Sequence, residues 1–201
     1  MAAAGPGASP SEPAAWFAFL GQALLAPEAA RLAELVGELE RAVGKRPGDP
    51  LPAAFREALE ATDPLELERE YVRLFLDPAG APCPPWQSVY GEEPRLMGPA
   101  HERALEWFRS EGIEPAKENE PADHAGLLLI FFSRLLASGA PTERLAAFWR
   151  DHLKWLIAFC ERIESETIHP FYRAWAHAAA RLVRLLQPPA DELPAALEGN
   201  R

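Results

Sequence analysis

Cysteine is scarce: Cys83 and Cys160 are the only two in 201 residues, and no C-x-x-C occurs. Two thiols cannot build the disulfide framework of a small secreted domain, so a reducing compartment is expected. Positive charge is also short, with 20 Lys and Arg against 30 Asp and Glu and a net charge of −10. That excess argues against nucleic-acid binding, which needs a basic footprint, and is compatible with a positively charged partner. Long hydrophobic runs are missing too. Trp16 to Ala26 has the length of a signal-peptide core, but no Lys or Arg precedes Arg31 to supply a positive flank. The run falls short of the ~20 residues that a membrane span requires, so a buried helix in a cytoplasmic protein is expected, with no membrane insertion.

Catalytic signatures are absent as well. The chain contains no H-E-x-x-H, no Gly-Lys-Ser/Thr phosphate loop, no G-x-G-x-x-G and no G-x-S-x-G. A helical di-metal centre needs two Glu-x-x-His pairs, and only Glu166-x-x-His169 is present, with Pro170 directly behind it. No metal and no cofactor are expected.

What the chain does have is hydrophobic content of 48% and 21 prolines, about twice the ordinary proline share of ~5%. The prolines fall where helices would start or be separated, and apolar residues recur between them at helical spacing. The expected fold is all-α: one domain of roughly eight or more helices around a buried central helix. It spans 11–187, between a flexible N-terminal segment 1–10 and a flexible tail 188–201. Asp63-Pro64-Leu65-Glu66 has the form of a helix start, and Gly112-Ile113 that of a Schellman stop whose Ile113 reaches Phe108. Leu127 to Phe132 is apolar on every side, as a central helix would be. A long amphipathic helix is expected from Pro141 through Ile163. Cys160 reads as core, whereas Cys83 reads as exposed.

Two segments could carry recognition. Asn119-Glu120-Pro121-Ala122-Asp123-His124 precedes the apolar helix: Asn119 or Glu120 can cap it, Pro121 suits its first turn, and Asp123 sits near its positive end. A well-formed helix start explains these residues fully without any function; a rigid polar corner of carboxylates and a histidine is the alternative. The second segment lies in residues 77–94, where Pro78, Pro82, Pro84, Pro85 and Pro94 forbid a regular helix. Within it Trp86, Gln87, Ser88, Val89 and Tyr90 read either as a lid on the core or as a wall for a peptide.

Pro84-Pro85-Trp86-Gln87-Ser88-Val89-Tyr90, then Glu118 to His124, then His152-Leu153-Lys154-Trp155 and His169-Pro170-Phe171-Tyr172-Arg173-Ala174 resemble, in this order, the TorD/DmsD family of molybdoenzyme maturation chaperones. The likeness covers about Tyr71 to Leu186 and is nearer the DmsD-like branch. It implies a cytoplasmic, non-enzymatic protein that binds the twin-arginine signal peptide of a molybdopterin-containing oxidoreductase precursor and delays export until the cofactor is in place. The implied peptide-binding residues are Trp86, Ser88, Val89, Tyr90, Glu120, Pro121, Asp123 and His124. The precursor apoprotein is the implied partner, with cofactor-biosynthesis and export-translocase proteins as further candidates. Gln87 stands where family members often carry a small residue, and Gly91-Glu92-Glu93 shortens the polar run that usually follows, which alters the lip of the groove. Two alternatives remain: a chaperone of a non-exported redox subunit acting on apoenzyme, and a metal-dependent hydrolase built on Glu120, Asp123 and His124. A monomer is the default, with element exchange at the links 77–94 and 113–118 giving a domain-swapped dimer as the other state.

Overall fold

A fully apolar 3.6-residue pattern has to be surrounded by other elements, and in the computed structural model of this chain that is where Leu127 to Phe132 lies. The structure describes residues 11–44, 51–92, 94–113 and 121–189. The expected loose segment 1–10, the exchange link beyond residue 113, the polar run's Glu93 and the tail from 190 lie outside the described residues, as do residues 45–50.

Nine α-helices run through the described residues: α1 Glu12–Leu25, α2 Ala29–Val43, α3 Leu51–Glu60, α4 Pro64–Tyr71, α5 Pro99–Ser110, α6 Ala125–Ala137, α7 Thr142–Phe148, α8 Leu156–Glu166 and α9 Pro170–Leu185. No β-strand is present among them, only one isolated bridge, so the all-α expectation holds. None of these helices is long and apolar enough to cross a membrane.

α1 and α6 form the central pair and meet almost backbone to backbone. A methyl group built on Gly21 would stand 2.6 Å from the Gly126 carbonyl oxygen, and one on Gly126 would stand 2.8 Å from the Gly21 carbonyl oxygen. Ser133 of α6 also donates to the Ala14 carbonyl of α1 at 2.7 Å. Around this pair the aromatics interlock: Phe17 on Phe132 at 4.9 Å, Phe131 on Phe148 at 4.9 Å, and Phe159 on Trp175 at 6.2 Å between ring centres. A dry interior offers no water to a polar hydrogen, so buried rings that carry one donate it to backbone carbonyls. Trp175 Nε1 donates to Leu20, Trp149 Nε1 to Val183 and the Tyr71 hydroxyl to Leu24, each at 2.9 Å.

Local punctuation falls where the residues place it. Asp63 accepts from the Leu65 amide at 2.7 Å and caps α4. Gly112, at φ 68°, closes α5, with the Ile113 amide donating to Phe108 at 2.9 Å and the Gly112 amide to Arg109 at 3.0 Å. Two expectations are corrected. The helix expected from Pro141 through Ile163 is broken into α7, a π-turn at Trp149–Leu153 and α8. The wider turn, with the Lys154 amide reaching back to Trp149 at 3.0 Å, rotates the phase so that Trp149, His152 and Leu153 all point inward. Cys83 is buried rather than exposed, tied through its amide to the Leu74 carbonyl at 2.9 Å.

The approach from α8 to α9 is pinned by a buried carboxylate. Glu70 accepts from Arg73 Nε at 2.7 Å, Arg73 Nη2 at 2.9 Å, the Thr167 hydroxyl at 2.9 Å and the Ile168 amide at 3.0 Å. Burial would raise its pKa, but these hydrogen bonds more than reverse that and hold it below the ordinary range. His169 then caps α9, its Nδ1 accepting from the Phe171 amide at 3.1 Å.

Candidate functional site

The start of α6 differs from the expected one. Asn119 and Glu120, the expected caps, lie outside the described residues. The cap is His124, whose Nδ1 accepts from the Gly126 amide at 3.0 Å, and the helix begins at Ala125. Pro121 is therefore not in the first turn of the helix. Pro121 to His124 form a reverse turn instead, closed by the His124 amide on the Pro121 carbonyl at 3.1 Å. Its shape is set from outside: the Ala122 amide donates to His101 Nδ1 of α5 at 2.9 Å.

The proline-rich segment comes to meet this turn. Trp86 and His124 form an antiparallel bridge, with the Gln87 amide on the Asp123 carbonyl at 3.1 Å and the Ala125 amide on the Pro85 carbonyl at 2.7 Å. After the bridge the chain coils into a 3₁₀ turn, Gln87–Tyr90. Its Ser88 amide donates to Asp123 Oδ2 at 2.7 Å, across 35 positions of sequence. The Trp86 ring meets His124 edge-to-face at 6.0 Å, and Tyr90 leans on Trp155, just ahead of α8, and on Phe159 of α8 at 5.1 and 6.0 Å. Two segments distant in the chain thus share one corner.

That corner is closed. Asp123 is 0% exposed, His124 3% and Ser88 4%, while Trp86, Val89 and Tyr90 are half-buried. Four of its buried polar atoms have no hydrogen-bond partner among the described residues: Trp86 Nε1, Ser88 Oγ, Tyr90 OH and Asp123 Oδ1. Such atoms are costly in a protein interior and call for a reason. Burial pushes His124 down to about 4, the Cys83 thiol up to about 11 and the Tyr90 hydroxyl upward. At neutral pH the imidazole is uncharged and the thiol protonated.

Of the eight residues expected at the site, seven are described and lie on this bridge or on the two turns beside it; Glu120 is outside the described residues. His101, Asp151 and His152 also support the corner and were not among the expected residues. Gln87 Nε2 donates to the Asp151 carbonyl at 2.7 Å, and Gln87 Oε1 faces His152 Nδ1 at 2.8 Å. The available signals were Gln87, a long amide within the proline-rich segment, and His152, a histidine among apolar residues. Among the described residues no group of three or more His, Cys, Asp or Glu side chains could hold a metal ion.

The profile of the nitrate reductase delta subunit family matches residues 27–161. The chain belongs to this TorD/DmsD family. It is similar to the Tat proofreading chaperone DmsD of Salmonella typhi, 33% identical over 135 residues that cover 65% of this chain and 63% of that relative. It is also similar to the chaperone protein TorD of Vibrio cholerae, 29% identical over 141 residues covering 64% of each chain. The match thus takes in less than two thirds of the length of these relatives. Among solved structures, a candidate redox enzyme maturation protein from Archaeoglobus fulgidus superposes with a TM-score of 0.64 over 91% of this chain and 98% of that one, at 24% identity. That last likeness is one of fold.

Proposed function

We propose that this TorD/DmsD family member is a non-enzymatic maturation chaperone of a molybdoenzyme, and that it binds the twin-arginine signal peptide of the precursor at the corner between Trp86–Tyr90 and Pro121–His124, delaying export until the cofactor is inserted. The observation that carries the reading is Asp123: a carboxylate with one oxygen held by the Ser88 amide and the other unpartnered, beside aromatic side chains. A twin-arginine peptide joins two guanidiniums to an apolar stretch, so its receptor needs a charge-assisted acceptor next to an apolar wall. In this scheme Asp123 and Glu120 take the guanidiniums, and Trp86, Val89 and Tyr90 take the apolar stretch. Pro121, Ser88 and His124 hold the shape. The net charge of −10 steers a cationic segment toward the protein.

A hydrolase at the same residues has less support. His124 Nδ1 is committed to the α6 cap and its pKa of about 4 leaves it a poor base at neutral pH.

Calorimetry with the leader peptide of the client oxidoreductase tests the proposal. Asp123→Asn keeps an acceptor for the Ser88 amide and removes the charge; it should weaken binding by about tenfold or more, the worth of a charged hydrogen bond. Trp86→Ala should do the same through lost apolar area. Unchanged affinity in both variants would sink the site assignment. Binding of apoenzyme without binding of the peptide would point to the chaperone of a non-exported subunit.

A further inference from the structure

The Trp86–Tyr90 turn is held from two directions. From the α6 side come the three hydrogen bonds already described, Gln87 amide to Asp123 carbonyl, Ala125 amide to Pro85 carbonyl and Ser88 amide to Asp123 Oδ2. From the side of α7 and α8 one side chain, Gln87, supplies the hydrogen bonds, beside the packing of Tyr90 on Trp155 and Phe159. Gln87 reaches the π-turn between α7 and α8, where its Nε2 donates to the Asp151 carbonyl at 2.7 Å. A carbonyl only accepts, so the amide nitrogen must face it, and Oε1 is left facing His152 Nδ1 at 2.8 Å. His152 is therefore the Nδ1–H tautomer. It is 0% exposed, and burial, with Arg103 adding to it, pushes its pKa down to about 3, so the ring is uncharged at neutral pH.

Within this turn and on the facing Asp123, Trp86 Nε1, Ser88 Oγ, Tyr90 OH and Asp123 Oδ1 have no hydrogen-bond partner among the described residues. A guanidinium cannot meet an Asp123 that is 0% exposed, so the corner has to open before that carboxylate can take one. The three hydrogen bonds on the α6 side are built into the recognition surface itself. The Gln87 clasp is different: it joins the turn to the π-turn and touches neither Asp123's carboxylate nor the aromatic wall.

We propose that Gln87 is a latch: by clasping Asp151 and His152 it holds the Trp86–Tyr90 turn shut over Asp123, so that it sets how often the corner opens to a cationic peptide. The inference rests on the proposed function for the identity of the ligand, but not for the existence of the latch. Apparent affinity is intrinsic affinity multiplied by the open fraction, so weakening the clasp should strengthen binding. Gln87 is then a positioning residue, acting on the site through the turn.

Gln87→Met keeps the side-chain length and removes both hydrogen bonds; Gln87→Ala removes the packing as well. In amide hydrogen exchange, Gln87→Met should speed exchange of the residue-87 and Ser88 amides by about tenfold, the scale of two neutral hydrogen bonds partly compensated by water, and leave the Phe131 and Phe132 amides of α6 unchanged. The twin-arginine leader peptide should bind the variant about 3- to 10-fold more tightly than the parent, chiefly through faster association. Unchanged exchange at Ser88, or equal acceleration in α6, overturns the latch. Local acceleration with equal or weaker peptide binding overturns its gating role. If the peptide binds neither protein, the signal-peptide reading fails, and exchange at Ser88 alone decides the latch. Gln87→Ala gives the same readouts if the methionine variant packs poorly.

Discussion

The imidazole of His124 closes the first turn of α6 through Nδ1 and offers its edge to the indole of Trp86. Helix caps are usually Ser, Thr, Asp or Asn, whose short side chains reach the second or third amide. A histidine does the same here while adding a ring to the corner. His124→Ala removes cap and ring together and should cost about 2 kcal/mol by urea unfolding; His124→Asn restores the cap and should recover about half of that. Equal loss in the two variants would mean that the cap contributes nothing. This residue was legible in the sequence as part of a helix start, but its role was not. Pro121 has the local chemistry of a first-turn residue, and only the bridge to the Pro85–Gln87 segment moves the start of the helix to Ala125.

Among the elements, the pairing of α1 with α6 sets where the corner stands, because α6 is capped by His124 and its first turn lies against α1. Gly126→Ala places a methyl group 2.8 Å from both the Gly21 carbonyl oxygen and Leu25 Cγ, so the helices must separate. We expect a loss of about 1–3 kcal/mol in urea unfolding, together with weaker leader-peptide binding as the cap shifts. A parent-like midpoint would show that the crossing yields freely. The two glycines carry no local signal for this contact. They sit within helical patterns, where glycine reads as mildly unfavourable, and the close approach is a property of the pair. The ends of α4 and α5 contrast with it: Asp63 and Gly112 act on their own near neighbours, and both were readable for that reason. The π-turn at Trp149–Leu153 was not, since a continuous apolar stripe is equally compatible with one uninterrupted helix.

For the molecule as a whole, buried histidines tie stability to pH. Burial lowers His124 to about 4 and His152 to about 3, and shifts His169 in the same direction. In the unfolded chain these groups titrate near ~6.5. Below that pH the unfolded state binds protons that the native state refuses, so stability falls as pH falls. It is full above about pH 7 and declines from about 6.5. The contribution of His124 is exhausted near 4 and that of His152 near 3. His124 and His152 alone give a slope of about 2–3 kcal/mol per pH unit around pH 5. Urea midpoints measured from about pH 7 down to about pH 5 should therefore drop progressively, and a midpoint unchanged over that range would contradict the burial of both imidazoles.

Helix content and the apolar character of α6 were settled by neighbours three and four positions apart, because helical periodicity, caps and prolines act locally on the backbone. The meeting of Trp86 with His124, the sealing of Asp123 beneath Ser88 and the reach of Gln87 to Asp151 and His152 belong to the folded molecule alone. Those contacts join residues 35 to 65 positions apart, and their geometry follows from how whole helices pack on one another. No stretch of chain short enough to be read as a pattern contains both partners.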